Sequence, residues 1–114
     1  MKTTLKKRLL DALEACRAIQ SFVANRTFGE YEKNQMLRSA VERQFEIIGE
    51  ALNQAEIENP ELSTLIPDVR RIVGMRNRII HGYDSVDDEL LWQTIQKHVP
   101  PLAQRLTELL GAQA

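Results

Sequence analysis

The chain has 114 residues, of which 43% are hydrophobic, and its 15 basic and 16 acidic side chains leave a formal net charge of −1. This length predicts a single domain over residues 1–114, and the balanced charge excludes a protein coated with basic residues for nucleic-acid binding. The lone cysteine, Cys16, excludes an internal disulfide framework. This single cysteine favours a cytoplasmic protein. No apolar run is long enough to span a membrane, so we expect the protein to be soluble.

Apolar residues recur every three or four positions along the chain, which predicts an all-α protein. A first helix is expected over about residues 4–25, with Cys16 on its apolar stripe and therefore in the core. Residues 26–34 carry Gly29 and lose the periodicity, which predicts a connector containing at most a short turn of helix.

A second, long helix is predicted over about residues 32–59. It should stop before Pro60, because the residue that precedes a proline is pushed out of the helical region. The following segment, 60–67, is interpreted as a loop.

A third helix should begin at Pro67 or Asp68. We expect Gly82 to end it as a left-handed residue. Its apolar side is predicted to consist of Val69, Ile72, Val73 and Ile80.

A fourth helix is predicted from a capping box formed by Ser85 and Asp88. Its first turn is acidic, as the helix dipole favours, so the run Asp84, Asp87, Asp88 and Glu89 is better explained as a helix N-terminus than as a metal site. Two prolines then bend the chain into a final helix over about residues 100–111. Short connections between such helices predict an antiparallel up-and-down bundle of four to five helices.

The third helix concentrates positive charge in a chain that is slightly acidic overall. Residues 69–83 contain no acid and four arginines, namely Arg70, Arg71, Arg76 and Arg78. Asn77 and His81 lie one turn apart on one face, and Arg76 lies about 140° around the helix from His81. A histidine in this position could transfer a proton near neutral pH. The plainer alternative is that basic residues in a last turn simply complement the helix dipole.

The spacing of Arg76, His81 and Tyr83, with polar Asn77 directly after the arginine, resembles the signature of the HEPN superfamily. More narrowly, the chain resembles HepT-like ribonuclease toxins. The similarity extends to AVERQFEIIGEAL in the second helix and to LWQTIQKHVPPLAQRLTELL at the end of the chain.

This resemblance implies an all-helical homodimer whose cleft joins two copies of the motif. It implies a metal-independent endoribonuclease without a cofactor, in which Arg76, Asn77 and His81 are catalytic. Such an enzyme can use the 2′-hydroxyl of RNA as its nucleophile. The neighbouring arginines, Arg70, Arg71 and Arg78, are then expected to bind RNA.

The resemblance also implies a partner, a minimal nucleotidyltransferase antitoxin that attaches AMP to the tyrosine of the motif, which is Tyr83 here. An alternative is a non-catalytic member of the same fold that binds nucleotide or regulates the nucleotidyltransferase. Composition alone would also fit a helical interaction module without nucleotide chemistry.

Several side chains outside the motif have simpler interpretations. Tyr31 is expected to pack at the surface or in the core, and Trp92 is expected to pack in the core or at a dimer interface and not to stack on a base. His98 is expected to be a solvated residue in the last turn of its helix. Ion pairing is the simplest role for Glu42, Arg43 and Glu50.

Overall fold

A computed structural model describes residues 2–82 and 86–112. Within these two ranges the chain is helical without a strand, which confirms the predicted fold class. None of the helices described is both long and apolar enough to cross a membrane. The described residues form seven helices, α1 (Thr3–Val23), α2 (Phe28–Lys33), α3 (Gln35–Glu58), α4 (Leu62–Leu65), α5 (Val69–His81), α6 (Asp88–Lys97) and α7 (Val99–Ala112).

The central helix is α3, which packs against α1, α2, α4 and α5. Thr4 Oγ1 donates a 2.7 Å hydrogen bond to Glu58, so the start of α1 meets the end of α3 and the two helices run antiparallel. α5 is antiparallel to α3 as well, because Arg76 contacts Glu50 whereas Arg70, earlier in α5, contacts Glu56, later in α3. α7 packs on α1 and α6 and completes the bundle.

Cys16 lies in the core, as its place on the apolar stripe of α1 predicted. Its side chain is completely buried, together with Ile19 of the same helix and Phe45 and Ile48 of α3. Burial raises the pKa of the Cys16 thiol to about 12. The thiol is therefore neutral at physiological pH, and Cys16 acts as a small apolar residue.

An aromatic cluster joins α2 to α6. The ring of Tyr31 is completely buried and its centroid lies 5.2 Å from that of the partly buried Trp92, which also contacts Phe28 at 6.2 Å. The predicted packing roles of Tyr31 and Trp92 are confirmed. The short helical turn predicted in the first connector is also present, as α2.

Two predicted helix ends are wrong. Gly82 does follow α5, and its N–H donates to the Arg78 carbonyl at 2.9 Å, but its φ of −123° is not left-handed. A left-handed residue instead follows α1, where Asn25 has a φ of 62°; asparagine tolerates this conformation better than most residues. The predicted capping box placed the cap of α6 at Ser85, which lies outside the described residues. α6 begins at Asp88, and its cap is Asp87, which accepts from the Leu90 N–H at 3.0 Å.

The buried side of α5 is rotated from the predicted one. Val69 and Ile72 are buried as expected, and Val73 is partly buried, but Ile80 is 39% exposed. Ile79 and Met75 complete the buried side instead. The rotation arises because Arg76 lies against α3, and Ile80, one turn later on the same flank, is left at the edge of the interface.

Residues 60–67 contain more structure than the loop predicted, since α4 forms one helical turn there. The expectation that His98 is simply solvated is wrong. Its Nδ1 lies 2.9 Å from Oδ1 of Asp68, so the end of α6 is held to the residue that precedes α5. This contact brings the C-terminal end of α6 close to the start of the basic helix.

Candidate active site

Arg76 is the best-anchored side chain of the candidate site. Its guanidinium donates from Nη2 to Oε2 of Glu50 on α3 at 2.9 Å, and from Nη1 to Oδ1 of Asn77 at 3.0 Å. The side chain is 24% exposed. Its Nε is buried and makes no hydrogen bond within the described part of the chain. The arginine is thus held by two neighbours while part of its guanidinium still faces solvent.

Gly49 makes room for this arrangement. A Cβ atom at this position would lie 2.5 Å from Cγ of Arg76 and 3.1 Å from its Cδ, and would also overlap its Cβ. Such distances are far below van der Waals contact, so only glycine allows the stem of Arg76 to cross α3 here. α3 therefore contributes both the space for Arg76, at Gly49, and its carboxylate partner, at Glu50.

Asn77 and His81 lie one turn apart on the exposed side of α5, as their spacing predicted. The Arg76 guanidinium reaches toward this side, because it bonds to the Asn77 side chain. His81 is exposed and makes no hydrogen bond or ion pair through its side chain among the described residues. It lines an open pocket of about 320 Å³ that also includes Arg78 and Asp87.

The other arginines of α5 lie mainly on a different side of the helix from Arg76. Arg70, Arg71 and Arg78 line a second open pocket of about 520 Å³. Arg70 lies 3.6 Å from Glu56 and is 78% exposed, so this ion pair contributes little to stability. Arg71 and Arg78 have no ion-pair partner within residues 2–82 and 86–112.

The acidic residues before α6 have a structural explanation where they are described. Asp87 caps α6, and Asp88 lies 3.9 Å from Arg38 of α3. In residues 2–82 and 86–112, no three His, Cys, Asp or Glu side chains come together as a metal site would require. Asp84 lies outside the described residues, and so does Tyr83, the predicted site of modification.

A family model described as ribonuclease HepT-like matches residues 12–109, which include the whole of α3 and α5. The chain belongs to the HepT-like family. A probable ribonuclease HepT of Thermococcus cleftensis is 33% identical over 109 residues, covering 96% of this chain and 98% of its relative. A Methanocaldococcus jannaschii protein named as a candidate RNase is 34% identical over 107 residues, covering 92% and 95% of the two chains.

A third relative, from Caldanaerobacter subterraneus subsp. tengcongensis, is also named as a candidate RNase. It is 34% identical over 98 residues, which cover 86% of this chain and 87% of the relative. No solved structure matches the chain. The resemblance seen in the arginine and histidine motif is therefore confirmed at the level of the family.

Sequence patterns alone did not show the roles of two residues at the candidate site. Glu50 was interpreted as an ion-pairing residue, which is correct, but its partner is Arg76 of the motif itself. Gly49 was given no role. A glycine in the middle of a long helix costs about 1 kcal/mol relative to alanine, and this cost was the signal that could have pointed to a close helix contact. The ion pair predicted for Arg43 is also present, with Glu46 at 3.3 Å.

Proposed function

We propose that this HepT-like protein is a metal-independent endoribonuclease toxin whose active site is built from Arg76, Asn77 and His81. The observation that carries the proposal is the chain of contacts from Glu50 through Arg76 to Asn77, one helical turn before the exposed His81. A guanidinium fixed by two partners is suited to bind a phosphate, and an exposed imidazole one helical turn after Asn77 is suited to transfer a proton.

The proposed reaction uses the 2′-hydroxyl of RNA as its nucleophile. A histidine removes the 2′-hydroxyl proton as the oxygen attacks the adjacent phosphorus. The bond from phosphorus to the 5′-oxygen breaks, and that oxygen receives a proton from an acid. Arg76 offsets the negative charge that builds up on the phosphate oxygens. The products are a 2′,3′-cyclic phosphate and a 5′-hydroxyl.

The proposed active form is a homodimer, because the reaction needs a base and an acid and each motif contains one histidine. Two copies of His81 facing each other in a cleft would supply both. Ile80 supports this arrangement, since it is 39% exposed and lies one turn from Arg76. An apolar side chain next to a catalytic arginine is suited to lie in such an interface.

The direct test is cleavage of RNA by purified protein in excess EDTA, beside His81→Ala at the same concentration. We expect fragments with cyclic-phosphate ends from the parent and intact RNA from the variant. Because His81 is exposed, both proteins should have the same melting temperature. Cleavage by His81→Ala at the parental rate would refute the assignment, and loss of parental cleavage in EDTA would refute metal independence.

We further propose that the partner is a minimal nucleotidyltransferase antitoxin that attaches AMP to Tyr83. An adenylate two residues after His81 would bring a bulky anion to the catalytic residues and exclude RNA. Co-expression with the nucleotidyltransferase should add the mass of AMP to the protein but not to Tyr83→Phe. Tyr31→Phe is the matched control, because Tyr31 is completely buried and should not be a target.

The same two experiments distinguish the alternative function. Protein that carries no AMP and leaves RNA intact, with or without His81, would be a non-catalytic regulatory partner of the nucleotidyltransferase. Retained binding to the nucleotidyltransferase would then identify its role.

A further inference from the structure

An open groove runs between α5 and α6 on the side of α5 that carries Arg71 and Arg78. It consists of the 520 Å³ pocket and an adjoining pocket of about 240 Å³, and both are lined by Arg71 and Leu90. α6 contributes Lys97 to the second pocket. We call this feature the α5–α6 groove. Because Arg78 also lines the pocket that contains His81, the groove leads directly away from the candidate active site.

Basic side chains outnumber acidic ones along the α5–α6 groove, as far as the structure describes its lining. Within residues 2–82 and 86–112, Arg71, Arg78 and Lys97 have no acidic partner. The described acids close to the groove are already engaged, since Asp68 pairs with His98, Glu56 pairs with Arg70, and Asp87, which shares a pocket with Arg78, caps α6. A polyanion that entered the groove would therefore gain contacts without displacing an existing ion pair of these three side chains.

The groove is long enough to hold an extended ligand. Ten residues separate Arg71 from His81, which corresponds to about 15 Å along α5. Lys97, on α6, shares a pocket with Arg71 but not with Arg78. Lys97 therefore lies farther from His81 along the groove than Arg71 does. Basic side chains therefore follow one another from the candidate active site to the end of α6, as phosphate groups follow one another along an RNA chain.

We infer that the α5–α6 groove holds the single-stranded RNA that flanks the cleavage site, with Lys97 as the phosphate contact farthest from His81. This inference rests on the proposed ribonuclease function and adds a binding residue from a second helix. The plainer explanation of Lys97 is that a cation in the last turn of α6 complements the helix dipole. The two explanations differ in what Lys97→Ala does to RNA of different lengths.

The test is binding of 2′-O-methyl RNA, which has no free 2′-hydroxyl and cannot be cut by the proposed reaction. A tetramer and a dodecamer are titrated against the full-length protein, Lys97→Ala, Lys97→Arg and Lys6→Ala. Lys6 is the matched control, because it is an exposed lysine on α1, a helix that lines neither pocket of the groove. Thermal melting of each variant separates a binding defect from unfolding.

Lys97→Ala should weaken binding of the dodecamer several-fold and leave the tetramer unaffected. The slope of log Kd against log salt for the dodecamer should fall by about 0.7, the value for one phosphate contact of a single strand. Lys97→Arg should retain parental binding, and Lys6→Ala should match the parent. Equal effects of Lys97→Ala on both lengths, or no effect, would overturn the inference.

The outcomes also separate this inference from the proposed function. If the parent cleaves natural RNA but Lys97→Ala binds the dodecamer as the parent does, the groove assignment fails and the function stands. If the length-dependent effect of Lys97 is found but no RNA is cleaved, the groove binds RNA and the catalytic proposal fails.

Discussion

Because Gly49 has no side chain, the side chain of Arg76 can lie directly against α3. The stem of Arg76 occupies the space in which any other residue at position 49 would place its Cβ. Glu50, the next residue, then holds the guanidinium. Adjacent residues of α3 thus determine where the candidate phosphate-binding group lies, although neither belongs to the motif on α5.

Gly49→Ala should reduce RNA cleavage strongly. Overpacking a close contact costs about 1–3 kcal/mol, partly offset by about 1 kcal/mol of better helix propensity, so the protein should still fold. A displacement of Arg76 by about 1 Å is enough to lower the rate of cleavage about 100-fold. Initial rates on a defined RNA, together with a melting curve, test this.

Gly111→Ala provides the control for Gly49→Ala. Gly111 is also helical, but a Cβ there would meet nothing within 4 Å. This variant should gain up to about 1 kcal/mol of stability and keep parental activity. Parental cleavage by Gly49→Ala would show that the observed position of Arg76 is unnecessary for the reaction.

The junction of α2, α3 and α6 combines the aromatic cluster with two carboxylates of raised pKa. Burial is the main cause of the raised pKa of Glu42, and the negative charge of Asp88 adds to it, whereas Arg38 opposes it. The pKa of Asp88 is raised by burial as well, again opposed by Arg38. Ionisation of both carboxyls is therefore less favourable in the folded protein than in the unfolded chain, so their negative charges at neutral pH lower the stability of the fold.

Glu42→Gln should raise the melting temperature at pH 7. Because the pKa of Glu42 is higher in the folded state, its contribution to stability is fully present below its ordinary pKa of 4.5 and is lost as the pH rises through the folded value. Glutamine carries no charge at either pH, so Glu42→Gln avoids the cost of ionising Glu42 at pH 7. Below about pH 4 Glu42 is protonated, and the variant and the parent should have similar melting temperatures. Melting curves at both pH values test the prediction.

Glu14→Gln, at an exposed position of α1, controls for the loss of one negative charge. It should change the melting temperature little at either pH. The account of Glu42 would be wrong if Glu42→Gln lowered the melting temperature at pH 7, or stabilised the protein equally at both pH values.

At the scale of the whole molecule, the described chain supplies one copy of His81, and the proposed reaction needs two proton-transfer groups. The exposed position of His81 and its lack of a partner among the described residues leave it available to a second chain. A composite site of this kind predicts that the two subunits of a dimer depend on each other.

Co-expression of parent and His81→Ala chains in equal amounts tests this dependence. If both histidines of a dimer are required, only dimers of two parental chains are active, and random pairing leaves roughly one quarter of the parental activity. Independent sites would leave about half under the same random pairing. Molecular mass in solution shows whether dimers form, and a monomer that cleaves RNA would contradict the composite site.

The sequence by itself determined the local properties of this protein. The three- and four-residue spacing of apolar side chains was enough to predict an antiparallel helical bundle and to place Cys16 in its core. The spacing of Arg76, His81 and Tyr83, together with similar segments in the second and last helices, was enough to indicate the family and a candidate site. These features depend on residues close together in the chain, whose relative positions a helix fixes.

Only the tertiary structure decided how the helices face one another. Periodicity shows which residues share a face of α5 but does not fix the rotation of α5 against α3. The sequence therefore predicted Ile80 on the buried side, whereas the structure buries Ile79. The contact of Arg76 with Glu50 and that of His98 with Asp68 join residues far apart in the chain. Such pairs exist only once the bundle has assembled, because packing brings their helices together and local sequence does not encode it.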